Sequence, residues 1–241
     1  MTCMLLDRIV PSLVVLAVLG PATGCNQTDP PGTEGSSSGS ADGASAGSSG
    51  GIDGDYFPLV DGATWTYRHQ STSAGVWDEV VVMRQVDYQG MTAFETEDNE
   101  DPSAEVSIST LVLDGTQVLR VHKELSLAGV PSGSVDYDPG FLRFDGAWQE
   151  GDTVMWSYDR TELDAMGAVV SESTRDMVFT VESASTEVTV PAGTFDCVQV
   201  LRVRIDNGET KRYWFAEGVG KVRHETLGTG NGEELAAYSV P

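Results

Sequence analysis

Basic residues are scarce in this chain. Its 241 residues contain 14 Lys and Arg against 37 Asp and Glu, which gives a formal net charge of −23. Nucleic-acid binding needs clustered basic side chains to contact phosphates, and adsorption to anionic lipid needs a basic surface. The composition therefore excludes a nucleic-acid partner and electrostatic attachment to a membrane.

Motifs that carry chemistry are also lacking. The three histidines, His69, His122 and His224, are isolated from one another and lack the spacing of a zinc site, so we expect exposed strand positions and no metal. No serine occupies a Gly-x-Ser-x-Gly elbow. Asp136 and Asp138 could act as an acid–base pair on a glycan, but a chain this acidic produces such pairs by chance. We predict no catalytic residue, no cofactor and no enzymatic activity; an envelope hydrolase is the third alternative.

No apolar run reaches the about 20 residues that a membrane-spanning helix needs. The segment from Ile9 to Leu19 is shorter and is typical of the hydrophobic region of a signal peptide. The small residues Ala22, Thr23 and Gly24 then precede Cys25, as in a lipoprotein cleavage site. We predict a signal peptide over residues 1–24 and lipidation, including palmitate, on Cys25. The alternative is ordinary secretory cleavage that leaves a free thiol.

The residue after this cysteine bears on localisation. Asn26 stands where an aspartate would resemble the inner-membrane retention signal of Gram-negative lipoproteins. This resemblance implies the outer membrane and leaves open the periplasmic or the surface face.

The chain has only three cysteines. Signal removal takes Cys3 and lipidation consumes Cys25, so Cys197 is left without a disulfide partner. Cys197 lies in a strand-like run and shares a predicted face with Phe195, Leu201 and Val203. We predict a small buried hydrophobe here rather than a nucleophile.

Composition divides the rest of the chain in two. Residues 25–55 are dominated by Gly, Ser, Ala, Thr, Pro and Asp, with Ile52 as the one large apolar residue, which predicts a disordered tether. Residues 56–241 are long enough for one domain with a sizeable core. The acidic run Glu95–Asp101 is predicted to be a solvated loop. Calcium binding is left open, since carboxylates are calcium ligands although the EF-hand pattern is absent.

Turn chemistry dominates the predicted domain. Asp114-Gly115, Asn207-Gly208 and Pro191-Ala192-Gly193 each separate two strand-like runs. Glu162–Met166 is either one helical turn or a hairpin loop. We therefore predict an all-β domain, a curved antiparallel sheet of consecutive hairpins forming an open or half barrel with little helix.

An internal echo predicts a weak duplication. Gly62–Arg68 and Gly151–Arg160 are similar in residue type, and each leads into a Val-rich strand. The halves would be residues 56–140 and 141–241; convergent strand patterns are the alternative explanation.

The five tryptophans are the candidate ligand contacts of the domain. On a curved sheet they could line a concave groove for an acyl chain or an extended peptide. The alternative is that three of them are core residues and that Trp77 and Trp148, with glycine and polar neighbours, are exposed. The five are Trp65, Trp77, Trp148, Trp156 and Trp214.

Three blocks carry a family resemblance: Tyr56–Tyr67, Val190–Cys197 and Tyr213–Val222. In this order they resemble uncharacterised bacterial exported and lipoprotein domains, including the TapB-like domains and related domains of unknown function. The resemblance implies a curved antiparallel sheet distantly like the lipoprotein-carrier half-barrels, and it implies no catalytic residues. The predicted protein is an outer-membrane-anchored lipoprotein with a binding or structural role in the cell envelope. The alternative is a carrier of a hydrophobic ligand or of a lipoprotein, and the predicted partners are the membrane, through lipid on Cys25, and a hydrophobic ligand or an envelope protein.

Overall fold

The computed structural model describes residues 52, 54–99 and 101–241, and in this part of the chain twelve β-strands follow one another without a helix. Their bounds are β1 Thr64–Ser71, β2 Gly75–Tyr88, β3 Met91–Asp98, β4 Glu105–Asp114, β5 Gln117–Leu127, β6 Val130–Asp145, β7 Thr153–Asp164, β8 Val169–Val190, β9 Gly193–Arg204, β10 Thr210–Ala216, β11 Gly220–Thr226 and β12 Asn231–Ser239. The described residues include no helix long and apolar enough to cross a membrane. The predicted signal peptide, Cys25 and Asn26 lie outside these residues.

The twelve strands form a closed antiparallel barrel. The first and last strands pair from Thr64 opposite Ser239 to Gln70 opposite Gly232, with a bulge between Thr66 and Tyr67. The predicted open or half barrel is therefore wrong, although the all-β antiparallel prediction is confirmed. Closure has a physical reason, because an open sheet would leave the outer N–H and C=O groups of β1 and β12 without partners.

The predicted hairpins are confirmed, but the bounds of their turns differ from the prediction, and residues 205–209 rather than Asn207-Gly208 alone separate β9 from β10. Val190 pairs with Gly193 across Pro191-Ala192. Asp114 pairs with Gln117, so the turn comprises Gly115 and Thr116, one residue later than the pattern indicated. Gly115 has a φ of 60°, a conformation that glycine adopts without steric cost. The segment after Asp164 is a hairpin turn, so of the two alternatives for Glu162–Met166 the hairpin loop is confirmed and the helical turn is not.

The acidic run is mostly strand rather than loop. Residues 95–98 belong to β3, where all four pair with β2 and residues 95–97 also pair with β4. Strand alternation sends Asp98 inward, where its carboxylate accepts hydrogen bonds from the backbone N–H and, at 2.7 Å, from the hydroxyl of Ser107. The prediction of a solvated loop is therefore wrong for these four residues, because β4 supplies the missing ladder partners.

Ordered contacts extend ahead of the predicted domain start at Tyr56. The backbone N–H of Ile52 donates a 2.9 Å hydrogen bond to the carbonyl oxygen of Trp148, and the Ile52 side chain is buried. The N–H of Gly218 donates to the carbonyl oxygen of Asp55 at 2.7 Å. The segment therefore lies against two turns at the same end of the barrel.

Inside the barrel, two hydrophobic clusters pack at the end that carries these turns. One is built around Trp65, Met83 and Leu111, and the other around Phe144 and Trp148. Phe57, from the segment ahead of β1, packs against both clusters. The apolar side chains thus fill one end of the barrel and leave the other end to polar ones.

The strands β1 and β7, six positions apart, begin in the same way. Gly62 N–H donates to the carbonyl oxygen of Met83 at 3.0 Å, and Met83 N–H returns a bond to Ala63 at 2.9 Å. Gly151 N–H likewise donates to Val181 at 2.9 Å, and Val181 N–H returns to Asp152. The predicted duplication stays a prediction, with this shared entry geometry as a local parallel.

Candidate ligand-binding cavity

A cavity of about 370 Å³ lies within the barrel and is lined in part by members of the two hydrophobic clusters. Its lining includes the apolar side chains of Phe57, Trp65, Met83 and Leu111. Ligand pockets of proteins have volumes of about 300–1,000 Å³ and combine apolar walls with a few polar groups. The cavity is therefore at the small end of that range.

The same lining includes six of the fourteen lysine and arginine residues of the chain. They are Arg120, Lys123, Arg143, Arg202, Lys211 and Lys221. Three carboxylates line the same cavity: Glu79, Asp98 and Glu233. A chain with a net charge of −23 thus encloses an interior in which cations outnumber carboxylates.

Three of these cations surround one aromatic ring. The guanidinium carbons of Arg120, Arg143 and Arg202 lie 5.8, 5.6 and 5.4 Å from the centroid of the Phe141 ring. A cation within about 6 Å of such a ring is attracted by its negative face. Cation–π attraction to the Phe141 ring therefore offsets part of the repulsion between these three cations.

Counter-charges for this cluster are few among the described residues. Arg202 contacts Glu209 at 3.0 Å. Arg120 and Arg143 form no ion pair or hydrogen bond with any other described side chain, and Nε of Arg120 is buried without a partner. Nε of Arg202, a residue only 7% exposed, is likewise unpaired. Donors of this kind are costly to bury without an acceptor.

Burial and neighbouring positive charges lower the pKa values of two cations in the cavity, Arg143 and Lys123. Burial, followed by the charges of Arg120 and Arg202, lowers the pKa of Arg143 to about 10. Burial and the charge of Arg120 lower the pKa of Lys123. The charged forms of both residues are therefore less favoured here than in water.

The buried carboxylate of Glu233 is neutralised by basic side chains that line the same cavity. Glu233, with 4% of its side chain exposed, contacts Lys221 and lies 2.9 Å from Nδ1 of His224 and 3.3 Å from Nε2 of His69. His69 also lies 2.9 Å from Glu79. Although burial raises the pKa of Glu233, the charge of Lys221 and the hydrogen bond of His224 outweigh this and hold that pKa well below its usual range.

The groups around Glu233 bear on the prediction of no metal. His69, Glu79 and Glu233 present ligand atoms within 4.8 Å of one another, an arrangement that could hold a metal ion. Lys221 forms an ion pair with one carboxylate oxygen of Glu233, so this carboxylate is already neutralised without a metal ion. The expectation of exposed histidines is wrong, because strand pairing turns His69 and His224 inward into the cavity.

The structure brings only one of the five candidate tryptophans to the cavity. Trp65 lines it, whereas Trp77 stacks on His69 with the ring centroids 4.8 Å apart. Trp148 is 2% exposed, so its predicted exposure is wrong; it packs against Phe144 and Phe179 within the second cluster. The indole N–H groups of the remaining two, Trp156 and Trp214, donate to Gly140 and Gln199 at 2.8 and 3.0 Å.

The other sequence candidates lie away from the cavity. Asp136 and Asp138 are on the outer face of β6, where Asp136 lies 2.6 Å from Nδ1 of His122. Cys197 is 1% exposed, and burial with the charge of Asp196 raises its pKa to about 12, as expected for an inert thiol. The register of β9 against β8 shifts at this point, so consecutive residues Cys197 and Val198 are both buried. The predicted shared face with Leu201 and Val203 is therefore wrong.

Two solved structures are similar to this chain at low identity. One is a putative lipoprotein from Parabacteroides distasonis, with 16% identity, a TM-score of 0.38 and coverage of 76% of this chain and 98% of that one. The other is a putative exported protein with a YmcC-like fold from Bacteroides fragilis, with 14% identity, a TM-score of 0.42 and the same two coverages. No protein-family model matches the chain, and no curated protein matches it. The resemblance to TapB-like domains therefore stays a prediction.

Proposed function

We propose that this chain is a non-catalytic, envelope-held binding protein that carries a small amphipathic molecule inside its barrel. The observation that carries this proposal is the cavity of about 370 Å³, whose lining combines apolar side chains with six cations. A molecule with an apolar body and a polar end would match both kinds of side chain.

The closed barrel favours a carrier over an interaction module that recruits partners through its sheet. Strand addition to a sheet needs a free edge. Both sides of every one of the twelve strands are paired in the described part of the chain. A protein partner would therefore have to use the loops or the outer face.

The envelope location rests on the sequence. Cys25 would carry lipid and hold the barrel at the outer membrane through the Gly/Ser-rich segment that follows. Two or more acyl chains hold a protein firmly, whereas one holds it marginally. Metabolic labelling with a palmitate analogue tests this: wild-type protein should take up label and Cys25→Ser should not, and equal label in both would refute the anchor.

The carrier function is tested by native mass spectrometry of the full chain purified from its own envelope. Wild-type protein should retain an amphipathic small molecule. Ser109→Phe places a ring into the cavity and should abolish retention, while Thr92→Phe, on the exposed face of β3, should not. Wild-type protein that arrives empty and takes up no added amphipath would overturn the carrier function.

A further inference from the structure

We infer that Arg120, Arg143 and Arg202, gathered around Phe141, form a binding site for the phosphoryl group of an amphipathic organic phosphate. The inference rests on the proposed function and specifies its ligand. The cavity supplies apolar side chains for the organic part, and the arginine cluster supplies the donors for the charged end.

The first argument is the distribution of charge. Three guanidinium groups lie within 5.8 Å of one ring centroid, and their like charges repel one another. Carboxylates neutralise the neighbouring cations, as Glu233 does for Lys221 and Glu209 for Arg202. Arg120 and Arg143 have no such ion pair among the described residues. An anion that enters the cavity would supply the missing counter-charge.

The second argument is the supply of unused donors. A guanidinium group has five N–H donors in a rigid fork and binds phosphate oxygens in pairs. The Nε atoms of Arg120 and Arg202 are buried without an acceptor. Since burying a donor without an acceptor is unfavourable, a ligand that accepts hydrogen bonds from these atoms recovers that cost.

The third argument selects the ligand class. A carboxylate carries one charge and two oxygens, which one arginine can satisfy. A phosphate monoester carries about two charges near neutral pH and three terminal oxygens. Three arginines that converge on one ring, of which only Arg202 has a carboxylate partner, exceed what a carboxylate needs and match a phosphoryl group.

The test uses octyl phosphate as the probe and isothermal titration calorimetry on the full chain. Octyl phosphate should bind at least tenfold more tightly than octanoate, octanol or inorganic phosphate. Arg143→Gln should weaken octyl phosphate binding about tenfold or more, because charged hydrogen bonds contribute about 1.5–3 kcal/mol each. Arg84→Gln removes an arginine that pairs with Glu97 on the outer face and should leave binding unchanged.

The alternative outcomes separate the possibilities. Equal binding of octanoate would overturn the phosphoryl assignment, and equal binding of octanol would overturn the anion site; both would leave the carrier function standing. Inorganic phosphate that binds as tightly as octyl phosphate would show a site for free phosphate, and would overturn the amphipathic ligand. Absence of binding by all four probes would overturn the inference, while retention of a native ligand would decide the carrier function separately.

A second measurement excludes a merely structural role for the arginines. If the cluster exists to bind an anion, Arg143→Gln should keep or raise the melting temperature of the ligand-free protein, because it removes an uncompensated buried cation. Octyl phosphate should then raise the melting temperature of wild type and not of the variant. A variant that melts lower than wild type without ligand, and binds the probe equally well, would assign these residues to structure alone.

Discussion

The indole N–H of Trp65 donates a 2.6 Å hydrogen bond to the carbonyl oxygen of Val219, 154 residues further along the chain. Trp65 belongs to β1 and Val219 immediately precedes β11, so the bond crosses β12, which lies between them in the barrel. The hydroxyl of Tyr67 donates to Lys221 at 3.1 Å in the same way. These two bonds reinforce the closure of the barrel between its first and last strands.

Trp65→Phe should weaken the fold measurably. The substitution keeps an aromatic ring but leaves the buried carbonyl oxygen of Val219 without this donor, which costs about 1–3 kcal/mol. Urea unfolding followed by circular dichroism would measure the loss. Trp77→Phe is the control, since Trp77 is stacked on His69 at the barrel wall, and an equal loss in both variants would contradict a special role of the bond to Val219.

Glu233→Gln should be strongly destabilising near neutral pH. The change removes the carboxylate that contacts Lys221 and leaves that cation buried, which costs about 3–5 kcal/mol for a broken buried pair. Glu234→Gln is a matched control, because Glu234 is 42% exposed and lies 3.8 Å from Arg223. Its loss should stay below about 1 kcal/mol. Similar losses from neighbouring residues would contradict the assignment of the buried pair.

The difference between wild type and Glu233→Gln should depend on pH. Because Lys221 and His224 hold the pKa of Glu233 well below its unfolded value of 4.5, its contribution is complete above that value. It is lost as the pH falls through the lower, folded pKa. Unfolding midpoints measured from pH 7 downward should therefore converge only at acid pH, and a constant difference down to pH 2 would contradict this linkage.

Cys197 should be inert until the barrel unfolds. Its pKa is raised to about 12 from 9.0, so the thiolate fraction at pH 8 falls by about a thousandfold, and the side chain is also inaccessible. A chain with Cys3→Ser and Cys25→Ser isolates this thiol. Reaction with a thiol reagent should be negligible in buffer and complete in denaturant, and rapid labelling of the folded protein would refute the burial.

Truncation should locate the start of the folded domain. Removal of residues 1–51 should leave the unfolding midpoint unchanged, because the contacts of Ile52 with Trp148 are retained. Removal of residues 1–57 also deletes Tyr56 and Phe57, whose rings lie 6.1 and 6.2 Å from Phe144 and Phe215. The loss of two packed aromatic rings should cost about 3 kcal/mol or more. Equal midpoints for the two truncations would place the domain start after Phe57.

Local patterns were sufficient to predict the strands and their turns. The turn at Pro191-Ala192 is encoded by residues adjacent in sequence, and so is the one near Gly115. Closure was not predictable in this way, because the pairing of Thr64 with Ser239 depends on the accumulated twist and tilt of all twelve strands. Trp148 was misassigned for a similar reason, since its polar neighbours face outward while the Ile52 segment and the second cluster cover its ring.

The arginine cluster did leave a signal in the sequence. Arg120, Arg143 and Arg202 each stand between two apolar residues, in Leu-Arg-Val, Leu-Arg-Phe and Leu-Arg-Val. A charged side chain in such a strand is ordinarily read as facing solvent. Only the register of the barrel shows that three of these positions point to the same ring.

Placement of six cations inside the barrel has a consequence for the kinetics of ligand capture. It leaves the outer surface even more acidic than the net charge of −23 alone suggests. An anionic ligand is then repelled during its approach and attracted only after entry, so its association rate should increase as salt screens the outer field over a Debye length of about 8 Å at physiological ionic strength. Capture and release would both be slow, and a bound molecule would exchange rarely with its surroundings.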